Sequence, residues 1–512
     1  MSGFAGTVNL ENSTCDLELL VDGHVALVAD ARIDAREPGV NDHDAILHAF
    51  EKWGEDCVDH LIGDFAFAIW DKRQKRLFCA RDHFGVKPFF FAHIGNSFSF
   101  SNSLNVLRAD ARVSGELNEA AAGDYLAFGL NQDLATTIFR DIQRLPPGHK
   151  LSITNGSVTI RRYWTLEARN EIRFRDEQAY VDRFNELFAL AVSDRLRTAR
   201  VSISMSGGLD STSIAAVARQ LLPEAAAVHA FATVYDELIP DQERHFSTLA
   251  ASHVGVPIHH LSADAYSLFE GPLDQPEPFL ISPLTGQFND LLELMADHGG
   301  VALTGYDGDA LMNEPRVGVR QVFRKLKKKK TRILYPEWID DSFARRINLK
   351  DRWQEPTPSK KRPGTIRALQ TKVWAPLLEG YDSSVTGLTL EVRHPFIDLR
   401  LVDYVLSIPA QPWCTNKHIL RCAMKHRLPD SVVNRPKTPL ASDPALHLSR
   451  RASVRWLDNF EAAPQLSRFV NLSRRRPLAE EETPDALWAN LRLFAFNHWL
   501  THSLPIKRMM VA

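Results

Sequence analysis

The fold of this chain is decided by the stretch Ser206-Gly207-Gly208-Leu209-Asp210-Ser211. It follows the segment Val201-Ser202-Ile203-Ser204-Met205, which predicts a strand, and we expect a helix to begin at about Ser211. A strand, a glycine-rich turn and a helix in this order are typical of the start of a parallel α/β domain. Glycines let backbone N–H groups approach phosphate oxygens closely, and the helix N-terminus adds a favourable dipole. The stretch therefore predicts a phosphate-binding loop.

The side chains of this loop suit a nucleotide held together with magnesium. Ser206 and Ser211 can add hydroxyl donors, and we place Ser204 in the same binding site. Asp210 is an acid in a loop otherwise suited to anions, which makes sense if its carboxylate holds Mg²⁺ that bridges phosphates. The loop is not of the G-x-x-x-x-G-K-[ST] type. The alternative interpretation is a glycine-rich turn in which Asp210 caps the helix.

Length and composition limit the class of protein. The chain has 512 residues, too many for a single hydrophobic core, so two or more domains are expected. Its net charge of -2 argues against a polyanion-binding protein, and we expect no nucleic-acid partner. The five cysteines include no CxxC pair, which fits a reducing cytoplasm. We expect no signal peptide and no transmembrane helix, because no basic start and no long apolar stretch occur.

The first third of the chain predicts strands. Apolar runs such as Phe65-Ala66-Phe67-Ala68-Ile69-Trp70 alternate with turn residues, and their uninterrupted apolar character indicates a sheet covered on both faces. Helical spacing of apolar residues predicts a helix over 43–53. The polar stretch 167–177 is the candidate linker, and a helix is expected to follow it. From about 370 onwards the pattern is mostly helical, and the basic run 327–330 is expected to be a solvated loop.

Several segments together resemble the asparagine synthetase family over nearly the whole chain. In the first part they are Gly63-Asp64-Phe65-Ala66-Phe67-Ala68-Ile69-Trp70-Asp71, Ala80-Arg81-Asp82-His83-Phe84-Gly85-Val86-Lys87-Pro88, and Leu145-Pro146-Pro147-Gly148 followed by Arg162-Tyr163-Trp164. In the second part they are the loop 206–211, which is similar to that of ATP pyrophosphatases, Thr304-Gly305-Tyr306-Asp307-Gly308-Asp309, Glu391-Val392-Arg393-His394-Pro395-Phe396-Ile397-Asp398, and the pair Lys417 and Lys437.

The resemblance implies a two-domain α/β protein. Residues 1–168 would form a glutaminase domain built as an Ntn-hydrolase-like αββα sandwich. Residues 178–512 would form an ATP-dependent synthetase domain of the ATP-pyrophosphatase, or adenine nucleotide α-hydrolase-like, type, with a parallel sheet and a helical C-terminal part.

Departures from the family pattern predict that the first domain no longer makes ammonia. A glutamine-using member has a cysteine directly after the initiator Met, where this chain has Ser2. The family's oxyanion-hole Asn-Gly is here Asp30-Ala31, and a carboxylate at an oxyanion hole repels the developing charge. The family's HRGPD-type glutamine-binding stretch is missing. The amine must then come from another substrate or from the substrate itself.

For the second domain, the resemblance implies activation of a carboxylate as its adenylate and attack by an amine. Asp210 and Asp309 would hold Mg²⁺, and Lys437 would stabilise negative charge on the adenylate or the tetrahedral intermediate. The nucleotide would contact Ser204, Ser206, Gly207, Gly208, Asp210, Ser211, Gly305 and Lys417.

A proton acceptor for the amine is implied by the β-lactam-forming relatives. Those enzymes use a Tyr three residues before the metal-binding Asp, together with a Glu that makes it a usable base. Tyr306 stands three residues before Asp309, and Glu379 stands fifteen residues before His394. The alternative is a core tyrosine and an exposed glutamate.

The resemblance leaves the amide open. The preferred hypothesis is a lasso-peptide macrolactam synthetase, in which the precursor peptide's own amine closes a ring onto an Asp or Glu side chain. Such enzymes act with a leader-binding protein and a leader peptidase. A β-lactam synthetase, favoured by Tyr306, and an ammonia-dependent asparagine synthetase, weakened by Asp307 and Ala310, are the alternatives within the family. A catalytically inactive scaffold is the alternative of another class.

Overall fold

A computed structural model describes residues 3–11, 14–16, 20–22, 24–271, 275–278, 282–315, 335–355, 359–437, 440–481 and 483–504. Ser2 and the basic run 327–330 lie outside the described residues.

The first part of the chain folds into two antiparallel sheets. One sheet has the strand order β2-β1-β8-β7-β9 and the other β11-β10-β6-β5-β4-β3. The strands are β1 (Ala5–Asn9), β2 (Thr14–Asp16), β3 (Leu20–Asp22), β4 (Val25–Asp34), β5 (Ile62–Asp71), β6 (Arg76–Arg81), β7 (Phe90–Ile94), β8 (Ser97–Ser101), β9 (Ile142–Arg144), β10 (His149–Thr154) and β11 (Ser157–Arg162).

Both faces of the second sheet are covered, as the apolar runs predicted. Strand β5 is buried from Asp64 to Asp71, with Ala66, Ala68 and Trp70 facing the other sheet. Phe65 and Phe67 point to the opposite face, against helix α1 (Asp42–Trp53). That helix confirms the prediction over 43–53, and Asn41 caps it by accepting from the Asp44 N–H. Helices α2 (Leu104–Arg108) and α3 (Glu119–Phe128) lie against the first sheet.

The second part is built on a parallel sheet, as the loop at 206–211 predicted. Its order is β14-β13-β12-β15-β16, with β12 (Arg200–Ser204) next to β15 (Val301–Thr304). The other strands are β13 (Ala227–Val234), β14 (Ile258–Ser262) and β16 (Glu391–Arg393). The described chain beyond 370 is mostly helical, as predicted, and adds one three-residue strand, β16, at the edge of the sheet.

Helices cover this sheet and continue to the end of the described chain. Helix α4 (Glu177–Leu196) begins at the Asp176 N-cap, at the end of the polar stretch 167–177. The others are α5 (Leu209–Leu221), α6 (Glu243–Val254), α7 (Thr285–His298), α8 (Gly308–Met312), α9 (Asp341–Arg346), α10 (Pro363–Leu369), α11 (Trp374–Glu379), α12 (Ser383–Thr386), α13 (Leu399–Ser407), α14 (His418–Met424), α15 (Asp430–Val433), α16 (Pro444–Leu448) and α17 (Pro484–His502).

The two parts share a core. Tyr125 and Leu126 of α3 pack in one cluster with Leu491 and Phe496 of α17. The boundaries 1–168 and 178–512 stay a prediction. In the described part of the chain, no helix is long and apolar enough to cross a membrane.

Candidate active site

The loops that carry the predicted site lie at the centre of the parallel sheet. Strands β12 and β15 are neighbours, with β13 and β14 on one side of this pair and β16 on the other. The strand order therefore changes direction between β12 and β15. Open parallel sheets bind ligands at the carboxyl ends of their strands, at the point where the strand order changes direction. The loop 205–208 leaves β12 there, and the loop 305–307 leaves β15 there.

Two glycines let these loops touch. A Cβ on Gly305 would lie 2.7 Å from the backbone nitrogen of Ser211. A Cβ on Gly308 would lie 2.5 Å from the carboxyl carbon of Asp210. Carbon atoms do not approach other atoms this closely without displacing them, so the contact between the loops requires glycine at both positions.

The phosphate loop is closed by its own hydroxyl groups. The Ser206 N–H donates to Ser211 Oγ at 3.0 Å, and the Ser206 and Ser211 hydroxyl oxygens lie 3.2 Å apart. The Gly208 N–H donates to Ser206 Oγ at 3.2 Å. The two serines therefore shape the loop in the state described here.

The backbone N–H of Gly207, a predicted nucleotide contact, is bound by a side chain in this structure. The Gly207 N–H donates to Glu243 Oε2 at 2.8 Å, while Arg435 Nη2 donates to Glu243 Oε1 at 2.8 Å. The physical reason is that helix α6 brings a carboxylate to the loop, and this carboxylate takes the N–H that we expected to face phosphate.

Two carboxylates and two lysines meet beside the loop. Lys417 Nζ lies 2.6 Å from Asp210 Oδ2 and 2.8 Å from Asp309 Oδ1. Lys437 Nζ lies 3.1 Å from Asp309 Oδ2. Burial raises the pKa of Asp210 to about 6, although Lys417 opposes the shift. Burial also acts on Asp309, but Lys417 and Lys437 outweigh it and hold its pKa below the usual range.

The donor set fits magnesium carried by a nucleotide. Asp210 Oδ1 is buried and has no hydrogen-bond partner in the described part of the chain. Asp309 contacts the same lysine, Lys417, so Asp210 and Asp309 would be the protein ligands of the magnesium ion. Magnesium commonly takes one or two carboxylates and completes its shell with phosphate oxygens and water. When bound, it would neutralise charge on the phosphates of ATP.

A cavity of about 680 Å³ surrounds these groups. Most of the predicted site residues line it: Ser204, Ser206, Gly208, Asp210, Ser211, Gly305, Tyr306, Asp309, Lys417 and Lys437. Sequence reasoning missed several polar residues that also line it: Glu243, Asn313, Asn416, Arg421, Asn434 and Arg435. Arg435 stands two residues before Lys437, so its place in the same segment was the available signal.

The predicted pair of Tyr306 and Glu379 does not form. The Tyr306 hydroxyl accepts from the Tyr381 hydroxyl at 2.9 Å. Burial raises the pKa of Tyr306, and the bond from Tyr381 offsets part of that rise. Tyr306 thus reaches the nucleotide cavity with a tyrosine partner.

Glu379 is held by arginines of the first sheet region. Arg81 Nη2 donates to Glu379 Oε1 at 2.8 Å, and Arg144 Nε donates to both oxygens, at 2.8 and 3.1 Å. Arg81 is fully buried and Glu379 is nearly so. The assignment of Glu379 as the group that activates Tyr306 is therefore corrected. The carboxylate oxygens of Glu379 are engaged by two guanidinium groups and do not contact Tyr306.

The segment at the family's oxyanion hole also ends in ion pairs. Asp30 Oδ1 lies 2.8 Å from Lys87 Nζ, and the same Nζ lies 3.7 Å from Glu391 Oε1. Asp30 is buried, as is Lys87. The attraction of Asp30 and Glu391 outweighs burial and raises the pKa of Lys87.

A second cavity, of about 870 Å³, also reaches the loop 305–307, at Asp307. Side chains of both parts of the chain line it, including Phe84, Trp164 and Trp374. Asp307 also lines it, and its backbone is left-handed, with φ at 71°. Burial raises the pKa of Asp307 to about 8.

A phosphate loop at the switch point of a parallel sheet, facing paired acids and lysines, defines a nucleotide-binding α/β enzyme. Residues 183–501 match the asparagine synthase family model, and residues 35–164 match the glutamine amidotransferase domain model. The chain belongs to the asparagine synthase family. It is an ATP-dependent carbon–nitrogen ligase.

Relatives with assigned names agree with this family. The chain is 28% identical over 470 residues to asparagine synthetase [glutamine-hydrolyzing] 3 of Bacillus subtilis (strain 168), covering 82% of this chain and 75% of that protein. Enzyme 2 of the same organism is 25% identical, with 78% and 58% covered. Enzyme 1 is 22% identical, with 91% and 82% covered.

Proposed function

We propose that this enzyme closes a macrolactam ring in a lasso precursor peptide. An Asp or Glu side chain of the peptide attacks the α-phosphorus of ATP, and pyrophosphate leaves. The peptide's N-terminal amine then attacks the acyl-adenylate, releasing AMP and a proton and forming the amide. Both reacting groups belong to one substrate, so positioning supplies much of the rate enhancement.

The observation that carries the proposal is a pair of cavities that both reach the segment 305–309. Tyr306 and Asp309 line the nucleotide cavity, and Asp307 lines the larger cleft. The cleft of about 870 Å³ lies within the range for small-molecule sites, about 300–1,000 Å³, and also leaves room for a short peptide segment.

The acid at the family's glutaminase position supports an amine that comes from the peptide. By the resemblance, Asp30 stands where the oxyanion of glutamine hydrolysis would need hydrogen-bond donors, and a carboxylate there repels the developing charge. On this proposal, the Ntn-type first domain serves as a scaffold for the ATP-pyrophosphatase-type second domain. A leader-binding protein and a leader peptidase are the proposed partners.

The test is ATP–pyrophosphate exchange with the purified protein, Mg²⁺ and candidate acids. The panel contains a precursor peptide, a β-amino acid such as carboxyethylarginine, and aspartate, with Asp210→Ala as the control. We expect exchange that depends on the peptide and disappears in the control. Mass spectrometry should then detect a peptide product that has lost one water.

Each other outcome identifies a different activity. Exchange with the β-amino acid alone would indicate a β-lactam synthetase, although Glu379 does not pair with Tyr306 here as the resemblance implied. Exchange with aspartate alone, followed by ammonia-dependent asparagine formation, would indicate an asparagine synthetase. If no acid supports exchange, with or without the proposed partner proteins, while the folded protein binds ATP, the inactive scaffold is the better description.

A further inference from the structure

The residues that line the cleft between the two parts of the chain include Asp307, a buried carboxylate with no hydrogen-bond partner among the described residues. Asp307 exposes only 5% of its surface. Neither Oδ1 nor Oδ2 has a hydrogen-bond partner in the described residues. Asp307 precedes helix α8, but its side chain makes no capping bond there.

Other buried acids of the described chain are satisfied differently. Asp82 accepts from four backbone N–H groups of the turn that follows it. Asp398 lies 2.9 Å from a guanidinium nitrogen of Arg195. Among the buried carboxylates that the structure describes, Asp307 alone has both oxygens without a partner. Because buried polar groups are normally hydrogen-bonded, such a group is a candidate for binding a ligand.

The rest of the cleft indicates what kind of ligand reaches this acid. Apolar side chains of its wall include Phe84, Trp164, Ile366, Trp374, Leu378 and Ile397. Six charged residues other than Asp307 also line the cleft: the acids Glu167 and Glu355 and the bases Arg162, Lys360, Lys361 and Lys372. Glu167 and Glu355 are exposed, so Asp307 is the one buried acid among the described lining residues. An apolar wall with one buried acid suits a ligand that carries a positive group on an apolar body.

We propose that Asp307 binds the N-terminal ammonium group of the peptide substrate and that the cleft holds the residues next to that amine. The inference rests on the proposed function and names the subsite for the nucleophile. Asp307 and Asp309 are two residues apart, so their Cα atoms are at most about 7.6 Å apart. An amine bound at Asp307 therefore lies beside the cavity in which the acyl-adenylate forms.

The test uses glycinamide as the probe, because its α-ammonium group has the chemistry of a peptide N-terminus. Binding is measured by calorimetric titration of the full-length protein without ATP or Mg²⁺. N-acetylglycinamide, which lacks the positive charge, is the ligand control. Asp307→Asn keeps the shape of the side chain and tolerates the left-handed backbone. Asp297→Asn, at an exposed position of helix α7, is the matched variant.

We expect the wild type and Asp297→Asn to bind glycinamide about tenfold or more tightly than Asp307→Asn does. N-acetylglycinamide should bind equally weakly to all three proteins. The melting temperature of Asp307→Asn should not fall, because no hydrogen bond is lost. Equal affinity of Asp307→Asn and the wild type, or no preference of the wild type for the charged probe, would overturn the inference. Since this titration involves no adenylation, its failure is separate from a failure of exchange.

Discussion

Replacing Glu379 by Gln separates the structural role that its contacts indicate from the catalytic role that the sequence suggested. The change leaves the fully buried guanidinium of Arg81, and that of Arg144, without the carboxylate that both now contact. Removing one partner of a buried ion pair costs about 3–5 kcal/mol. Arg81 keeps its bonds to the carbonyl groups of Gly85 and Lys87, so we take the lower value, about 3 kcal/mol.

Differential scanning calorimetry measures this cost. At about 2.1 cal/mol/K per residue, 512 residues that unfold together give about 1 kcal/mol/K, so the transition of Glu379→Gln should fall by about 3 °C. Glu186→Gln, which breaks an exposed pair with Arg183, is the matched control and should shift by less than about 1 °C. Turnover per folded molecule should fall less than about tenfold, because a general base contributes about 10²–10⁴ and Glu379 is not placed as one. An unchanged transition with turnover lowered more than about a hundredfold would refute the structural role.

Three further perturbations test the nucleotide site and the core around it. Gly308→Ala places a Cβ 2.5 Å from the Asp210 carboxyl carbon. The displaced carboxylate should lower kcat/KM for ATP in pyrophosphate exchange about a hundredfold. An unchanged kcat/KM would mean that the carboxylate can move freely. Lys417→Ala removes the cation shared by Asp210 and Asp309, and titration with MgATP should give a Kd about tenfold or more weaker. Lys417→Arg should not restore the affinity, because a planar guanidinium does not replace a compact ammonium charge. Burial lowers the pKa of His394 to about 4, whereas a histidine in the unfolded chain has a pKa of about 6.5. Between these two values the unfolded chain binds more protons, so the melting temperature should fall as the pH drops from about 6.5 to 4. His394→Gln should flatten this pH dependence.

The parts of the fold that could be predicted are those whose cause is local. The run from Phe65 to Trp70 predicted a covered strand because each face of that strand meets an apolar layer. The phosphate loop was predicted from a strand, two glycines and a helix that adjoin in sequence. The start of α5 was expected at about Ser211 and lies at Leu209, because the first turn of the helix includes part of the loop.

The contacts that the sequence did not predict join residues that are distant in sequence. Glu379 contacts Arg144 and Arg81, which stand 235 and 298 residues earlier. The Gly207 N–H donates to Glu243, which helix α6 brings back to the loop. Neither partner leaves a periodic signal near the residue that it affects.

The same distant contacts give a physical reason for a family member to keep its first domain without ammonia chemistry. Arg81 and Arg144 of that domain hold Glu379 at the end of helix α11. Two residues later, Tyr381 donates its hydroxyl to Tyr306 in the nucleotide cavity. Tyr381 itself packs in a core cluster of the second part, so the first domain acts on it only through the position of Glu379. A chain that forms its amide entirely in the second domain would then still use the first domain to position the end of helix α11, next to the tyrosine pair.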